Sequence, residues 1–186
     1  MQRKGFWQKV NFEEKILTTE EIYNGRVINL KRHDIELHDG SKSVREIIEH
    51  TGGVGVIAVT EEKEVYMVTQ YRIAAQQMML EIPAGKLEKG EDPMSAGLRE
   101  LQEETGYKAN NIQYMGEYYA TPGYCQEKLY IYLATDLEFV GQNLDEGEYL
   151  NVSKHSLDEL YQMVMDNKIY DCKTAIAILK AKAILG

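Results

Sequence analysis

The stretch of residues 85–107 constrains this chain most, because both ends of a helix can be recognised within it. Asp92 is a favoured N-cap residue, and Pro93 suits the first helical position, which needs no amide hydrogen. Gly106 tolerates the left-handed conformation that commonly ends a helix. The sequence therefore predicts a glycine-containing loop followed by a helix that begins at Pro93 and ends before Gly106.

The predicted helix has two unlike sides. Four residues recur at spacings of four, three and four and predict a stripe that faces the core: Met94, Leu98, Leu101 and Thr105. Three carboxylates lie together on the other side, at positions i, i+3 and i+4: Glu100, Glu103 and Glu104. Ala96 and Gly97 share this second side, and their small size would let another group approach the backbone closely.

Three carboxylates on one helical patch repel one another unless a cation neutralises them. Oxygen ligands suit Mg²⁺ or Mn²⁺ better than zinc, and Mg²⁺ is commonly held by one or two carboxylates together with substrate phosphates. The patch therefore indicates metal-dependent phosphate chemistry. The alternative interpretation is an acidic helix face that simply contacts solvent.

The spacing of the whole stretch resembles the Nudix box of the Nudix hydrolases. Gly85 is followed after five residues by Glu91, and after seven more by the run RELQEETGY at residues 99–107. Tyr107 is an aromatic residue where the family usually has an aliphatic one, which affects packing rather than chemistry. The resemblance implies an α/β Nudix fold, an α/β/α sandwich with a mixed sheet, and hydrolysis of phosphoanhydride bonds with Mg²⁺ as cofactor and Mn²⁺ as the alternative.

Composition places the chain among soluble globular proteins. Its 186 residues suit one ordinary domain with a sizeable core. The net charge is −9, and the sequence shows no basic stripe of the kind that binds nucleic acid. No apolar run is long enough to span a membrane, and residues 1–10 lack the apolar core of a signal peptide. Two cysteines offer no disulfide framework. We expect a cytoplasmic protein without nucleic-acid or membrane partners.

The order of the other predicted elements supports the same fold class. Residues 15–49 have a β pattern with a hairpin turn at Asp39-Gly40, and we expect a small N-terminal antiparallel sheet in residues 1–50. Residues 51–186 would form the catalytic domain, with strands at 53–60, 64–71, 78–84, 112–119, 128–135 and 149–152, and helices at 156–167 and 173–185. This order predicts a mixed sheet covered by helices on both faces. The N-terminal part resembles the sheet of nucleoside-diphosphate-sugar hydrolases, which implies a homodimer.

Four residues outside the box are candidates for substrate binding. Arg72 ends a predicted strand, where an arginine can grip phosphate through two hydrogen bonds, and the preceding Gln-Tyr resembles a family motif; a rim ion pair is the alternative. Arg45 belongs to a similar Arg-Glu pair, with a structural salt bridge as its alternative. Glu81 alternates with apolar neighbours, so its side chain is expected to face a cleft. The loop at 121–127, with Thr-Pro-Gly before Glu127, resembles the ADP-ribose pyrophosphatase subfamily.

The resemblance also implies roles in metal binding and catalysis. The backbone carbonyl of Ala84 would join Glu100, Glu103 and Glu104 as metal ligands, and Arg99 would orient the carboxylates through an i, i+4 pair with Glu103. A loop in related ADP-ribose hydrolases supplies a glutamate that activates water. Glu146 matches that position best, and Glu148 is the alternate.

These inferences predict a nucleotide substrate. ADP-ribose is the first choice, cleaved at its pyrophosphate bond into AMP and ribose 5-phosphate. The alternatives are another nucleotide sugar such as GDP-mannose, a nucleoside triphosphate, or a nucleotide-sensing Nudix module without catalysis.

Overall fold

The computed structural model describes residues 11–144 and 146–186, and the chain divides into two units. One unit takes the described residues up to His50 together with Thr121–Gln126. The other takes Thr51–Ala120 and Glu127–Gly186. Residues 1–10, on which the expected cellular location partly depends, lie outside the described residues, as does Asp145.

The first unit contains a small antiparallel sheet of three strands in the order β1-β2-β3, which confirms the predicted N-terminal sheet. Its strands are β1 (Lys15–Asn24), β2 (Asn29–Glu36) and β3 (Lys42–Glu49). Two predicted segments, 27–30 and 35–37, belong largely to the single strand β2. The polar residues between them are also part of the strand, because they pair with β1 on one edge and with β3 on the other. At the tip between β2 and β3, Asp39 accepts a hydrogen bond from the amide of Ser41.

The later part of the first unit adds to β3. Ile48 donates its amide hydrogen to the carbonyl of Tyr124 at 2.7 Å, and the Ile48 carbonyl accepts from the amide of Gln126 at 2.9 Å. Residues 121–126 are therefore held by main-chain hydrogen bonds to the end of the small sheet.

The described residues of the second unit form a seven-stranded mixed sheet. Its strands are β4 (Gly53–Val59), β5 (Glu64–Arg72), β6 (Gln77–Glu81), β7 (Ala84–Lys86), β8 (Tyr107–Tyr119), β9 (Lys128–Phe139) and β10 (Leu150–Ser156). The main path runs β10-β5-β4-β9-β8, with β6 paired to β5 and β7 paired to β4. The pair β4 and β9 is parallel, and the other pairs are antiparallel.

The predicted strand 78–84 is interrupted at Pro83. A proline has no amide hydrogen for a ladder, so the chain changes partner there: β6 pairs with β5, and β7 continues along β4. This change of partner places Ala84 and Gly85 directly beside Gly55 and Val54.

Helices cover both faces of the larger sheet, which confirms the predicted α/β/α sandwich. They are α1 (Pro93–Thr105), α2 (Leu157–Met165) and α3 (Cys172–Leu185). Alternate residues of β4 point to opposite sides. Val54 and Val56 pack in a cluster with α1, whereas Ile57 and Val59 pack in a second cluster with α2 and α3.

The ends of α1 are those that the sequence predicts. Of the predicted stripe, Leu101 and Thr105 are buried, Leu98 is half-buried and Met94 is not buried. Asp92 caps the helix by accepting from the amide of Ser95, and Gly106 ends it in the left-handed conformation. The buried residues are Ala96, Gly97, Leu101, Glu104 and Thr105, whereas Met94 is 44% exposed. A Cβ atom at Gly97 would lie 3.0 Å from a methyl group of Val56, so the small side of α1 faces β4.

Within the described ranges, no helix has the length and apolar character needed to cross a membrane.

Candidate active site

Glu104 lies in the last turn of α1, and its side chain is almost completely buried, at 1% exposure. Its Oε2 atom accepts a hydrogen bond from the main-chain amide of Ala84 at 2.8 Å. Burial raises the pKa of Glu104 to about 8; the Ala84 hydrogen bond opposes this rise, and the nearby charges of Glu100 and Glu148 add to it. The carboxylate is thus fixed in position in surroundings that disfavour its charge.

Glu100 lies one turn earlier, with its carboxylate against the backbone of Gly85. A Cβ atom at residue 85 would lie 1.9 Å from Oε1 of Glu100, so this approach requires a glycine. The pairing of Val54 with Gly85 in the ladder of β4 and β7 fixes the backbone on which the carboxylate rests. Burial raises the pKa of Glu100, and the adjacent charge of Arg99 partly opposes that rise.

Arg99 connects three of the acids in the box. Its Nη1 atom donates to Glu103 at 2.8 Å, which is the predicted i, i+4 pair, and to Glu100 at 2.9 Å. Its Nε and Nη2 atoms donate to Glu91 at 3.3 and 3.2 Å. Burial lowers the pKa of Arg99, but the hydrogen bonds and charges of these acids outweigh it, so the pKa is raised. Arg99 is therefore hydrogen-bonded to Glu91, Glu100 and Glu103 at once.

The carboxylates fit a hard divalent cation in their chemistry. The carboxylate of Glu100 lies against Gly85, and that of Glu104 against the adjacent Ala84. Both carboxylates supply oxygen ligands, which hard cations prefer. Across residues 11–144 and 146–186, no three His, Cys, Asp or Glu side chains are already arranged around one metal position. Glu103 is instead bonded to Arg99, and Glu104 to the Ala84 amide.

The acidic loop before β10 brings one of its two candidate glutamates to this site. The charge of Glu148 raises the pKa values of both Glu100 and Glu104, so its carboxylate lies within electrostatic range of them. Glu148 is half-buried and lines a cavity of about 360 Å³ together with Tyr71 and Tyr149, whereas Glu146 is exposed. Of the two candidates, Glu148, the alternate of the sequence prediction, is thus the one whose charge acts on Glu100 and Glu104.

Arg72 and Glu81 form an ion pair at the ends of β5 and β6. Nε and Nη2 of Arg72 donate to the two carboxylate oxygens of Glu81 at 2.7 and 2.8 Å. Glu81, expected to face a cleft, is only 1% exposed, and Lys173 of α3 binds its Oε2 atom at 2.5 Å. The Arg72 side chain remains 41% exposed, with one edge of its guanidinium on Glu81.

The other two candidates belong to different units. Arg45, in the first unit, donates to both carboxylate oxygens of Glu14, at 3.0 and 2.5 Å, so the salt bridge that the sequence left as an alternative is present. It also lines a cavity of about 340 Å³ within that unit, with Ile35 and Pro122. Glu127, in the second unit, lies near Gly53, where a Cβ atom would be 3.8 Å from its Oε1.

The model of the NUDIX domain matches residues 49–172, which include the whole of this carboxylate cluster. The chain belongs to the Nudix family. It is 44% identical over 169 residues to a methanol dehydrogenase activator of Bacillus methanolicus, covering 90% of this chain and 91% of that one. It is 42% identical over 170 residues to an ADP-ribose pyrophosphatase of Bacillus subtilis, covering 90% and 92%.

The fold of this Nudix protein is also that of a solved structure. A crystal structure of an ADP compounds hydrolase superposes with a TM-score of 0.83, covering 96% of this chain and 97% of that one at 23% identity. The Nudix fold predicted from the box is thereby confirmed.

Two contributors to the site of this Nudix protein were given no role by sequence reasoning. Glu91 was recognised as a position in the box, but its bond to Arg99 emerges only when the loop folds back on α1. Lys173 lies 66 residues after Tyr107, the last residue of the motif, and looks like an ordinary residue of an apolar helix. The sequence carries no local signal that this lysine meets Glu81.

Proposed function

We propose that this Nudix protein hydrolyses the pyrophosphate bond of ADP-ribose, or of a related nucleoside diphosphate sugar, in a Mg²⁺-dependent reaction. The observation that carries the proposal is the pair of carboxylates Glu100 and Glu104, the first half-buried against Gly85 and the second buried and bonded to the amide of Ala84. The 42% identity to an ADP-ribose pyrophosphatase supports the choice of substrate. The expected products are AMP and ribose 5-phosphate.

Glu100 and Glu104 would hold the cation, with the carbonyl of Ala84 and with Glu103 as further ligands. When bound, Mg²⁺ supplies positive charge that polarises a phosphoryl group and offsets charge on the leaving phosphate. Mn²⁺ would satisfy the same oxygen donors. Arg99 keeps Glu100 and Glu103 oriented through bonds of 2.9 and 2.8 Å.

The protein's own residues then position the substrate and water. The exposed edge of Arg72 would bind an oxygen of the diphosphate, since its other edge is held by Glu81. Glu148 would accept a proton from the water while the water oxygen forms a bond to one phosphorus of the diphosphate. The P–O bond between the bridging oxygen and that phosphorus breaks, and the other phosphate leaves. Glu146 is the alternate base on the same loop.

Arg45 and Glu127 would contribute to recognition of the base and sugar ends. Arg45 would first have to share or exchange its bonds to Glu14. We further propose a homodimer and a cytoplasmic location, with a small-molecule nucleotide as the partner rather than nucleic acid or a membrane.

A panel of nucleotide sugars tests the proposal. The protein is incubated with ADP-ribose, GDP-mannose or a nucleoside triphosphate, each with Mg²⁺ and each with a chelator, and the nucleotide products are separated. We expect ADP-ribose to be cleaved fastest, with AMP released only when Mg²⁺ is present. Faster cleavage of GDP-mannose would identify GDP-mannose, instead of ADP-ribose, as the preferred substrate. No cleavage of any of these nucleotides would favour a nucleotide-sensing module.

A second candidate function follows from the 44% identity to a methanol dehydrogenase activator. This protein would then increase the rate of a methanol dehydrogenase. The test adds the protein, or its Glu104→Gln variant, to the Bacillus methanolicus dehydrogenase and measures methanol oxidation. Activation by the parent but not by the variant would connect the effect to hydrolysis, and activation by both would assign it to binding alone.

A further inference from the structure

A chain of four charged side chains runs from the N-terminus of α3 to the edge of the proposed substrate site. Its members, in order of contact, are Asp171, Lys173, Glu81 and Arg72. Nζ of Lys173 lies 3.0 Å from Asp171 and 2.5 Å from Oε2 of Glu81. The two positive and two negative charges balance, so the group can be buried without a net charge.

The beginning of this chain is firmly anchored. Asp171 is the N-cap residue of α3, and its Oδ2 atom accepts from the amide and the hydroxyl of Thr174 at 3.0 and 2.5 Å. The same hydroxyl accepts from the amide of Ile82, the residue that follows Glu81, at 2.9 Å. Lys173 and Glu81 are therefore fixed relative to each other by backbone contacts as well as by their ion pair.

The position of Lys173 is unfavourable for a lysine. It is the second residue of α3, where the positive end of the helix dipole disfavours a cation, and it is buried. Neutralising Glu81 does not require it, because Arg72 already donates to both carboxylate oxygens. The lysine adds a third hydrogen bond to Glu81, and its side chain, unlike that of Arg72, is buried.

This third bond restricts the carboxylate to one orientation. Arg72 alone could rotate together with Glu81 as a pair, because the arginine side chain is 41% exposed. Because Lys173 binds Oε2 from the buried side, the plane of the Glu81 carboxylate is fixed. Nε and Nη2 of Arg72, which donate to the same carboxylate, are then held in that plane. Nη1 then points away from Glu81, and no described residue places an acceptor against it.

We propose that Lys173 is a positioning residue: through Glu81, it holds the Arg72 guanidinium with its outer edge turned toward the substrate diphosphate. The proposal rests on the proposed function, in which Arg72 binds that diphosphate. Lys173 itself does not touch substrate. Its effect therefore depends on the presence of Arg72, which a purely structural lysine would not require.

A double-mutant cycle tests this dependence. The cycle compares kcat and KM, with Mg²⁺, for the nucleotide that the parent cleaves fastest, which we expect to be ADP-ribose. The four proteins are the parent, Lys173→Met, Arg72→Ala and the double variant. We expect Lys173→Met to lower kcat/KM by about tenfold, mainly through KM, and to have less than about a twofold effect when Arg72 is already alanine. Equal losses in both backgrounds, or no loss in the parent background, would overturn the proposal.

Two further variants keep the result interpretable. Lys182→Met removes another lysine of α3, whose partner Asp158 is exposed, and should leave both kinetic constants within about twofold of the parent. Lys173→Gln retains a hydrogen-bond donor without the charge, and replaces Lys173→Met in the cycle if circular dichroism shows the methionine variant to be unfolded. We expect the glutamine variant to lose less than the methionine variant and to show the same dependence on Arg72.

Failure of the proposal can be distinguished from failure of the proposed function. Cleavage of the nucleotide panel by the parent protein tests the proposed function. The double-mutant cycle then uses the nucleotide that is cleaved fastest and tests the role of Lys173. If the parent cleaves ADP-ribose but Arg72→Ala has no effect, the function stands, and the role of Lys173 is wrong together with that of Arg72.

Discussion

The amide of Ala84 donates a hydrogen bond of 2.8 Å to the carboxylate of Glu104, and this bond joins strand β7 to the last turn of α1. The two residues are brought together because Pro83 makes the chain change partner from β5 to β4 just before Ala84. One side of the carboxylate is thereby fixed to the main chain. A cation would bind a ligand whose position is already set, which lowers the entropic cost of forming the site.

Replacing Glu104 by glutamine should separate catalysis from folding. Glutamine retains an oxygen that can accept from the Ala84 amide, but it removes the negative charge that would hold Mg²⁺. We expect kcat for ADP-ribose to fall by at least about a thousandfold, and the metal-free free energy of unfolding to change by less than about 1 kcal/mol. Glu138→Gln, on an exposed residue of β9, is the control. Parent-like turnover by Glu104→Gln would rule out the proposed metal role.

Replacing Gly85 by alanine should displace Glu100. The new methyl group would overlap Oε1, which lies 1.9 Å from the Cβ position, so the carboxylate must move. We expect kcat to fall by about a hundredfold, since a displacement of about 1 Å at a catalytic group has that effect, with about 1–2 kcal/mol lost from the free energy of unfolding. Steady-state kinetics and urea unfolding measure the two effects. A rate loss explained entirely by unfolded protein would contradict this interpretation.

The two glutamates of the acidic loop provide their own comparison. Glu148 acts electrostatically on Glu100 and Glu104, whereas Glu146 is exposed. If Glu148 is the base, Glu148→Gln should lower kcat by about a hundredfold, and Glu146→Gln by less than about threefold. Each variant is assayed at saturating ADP-ribose and Mg²⁺. The opposite order would restore Glu146, the first choice from sequence, as the base.

Glu81 should make stability depend on pH. Burial raises its pKa, but the hydrogen bonds and charges of Arg72 and Lys173 outweigh burial and hold it below the ordinary 4.5. The folded state therefore binds fewer protons than the unfolded state in this range, and stability contributed above pH 4.5 is lost as the pH falls through the lowered value. Glu81→Gln should cost about 3 kcal/mol at pH 7 and weaken the acid dependence.

Urea unfolding at several pH values between 7 and 3 measures this effect. Asp158→Asn is the control, because the pKa of Asp158 is also lowered, through its bond to Lys182, but its side chain is exposed. We expect that control to follow the parent curve closely. An identical acid dependence in the parent and in Glu81→Gln would contradict the assignment.

Local signals predicted the ends of α1 but only part of its buried face, namely Leu101 and Thr105. Asp92, Pro93 and Gly106 act within a few residues of themselves, so a linear sequence is enough to recognise them. Which face is buried depends on what packs against the helix. Val56 on β4 comes within 3.0 Å of a Cβ position at Gly97, and so the small residues, not Met94, face the core.

The surroundings of Glu81 could not be predicted for a similar reason. Alternation along a strand shows that a side chain points to one face, but it does not show what covers that face. Here α3 covers it, and Lys173 comes from a part of the chain 92 residues later. The carboxylates of the box were easier to predict, because their spacing is confined to one helix.

The return of residues 121–126 to the N-terminal sheet has a consequence for building chimeras. The chain passes between the two units at His50–Thr51, Ala120–Thr121 and Gln126–Glu127, so a single splice point does not isolate the smaller one. A graft that exchanged only the first 50 residues with those of a relative would pair a foreign β3 with the native Tyr124 carbonyl and Gln126 amide. Both segments must be transplanted together for the donor's hydrogen bonds to be preserved.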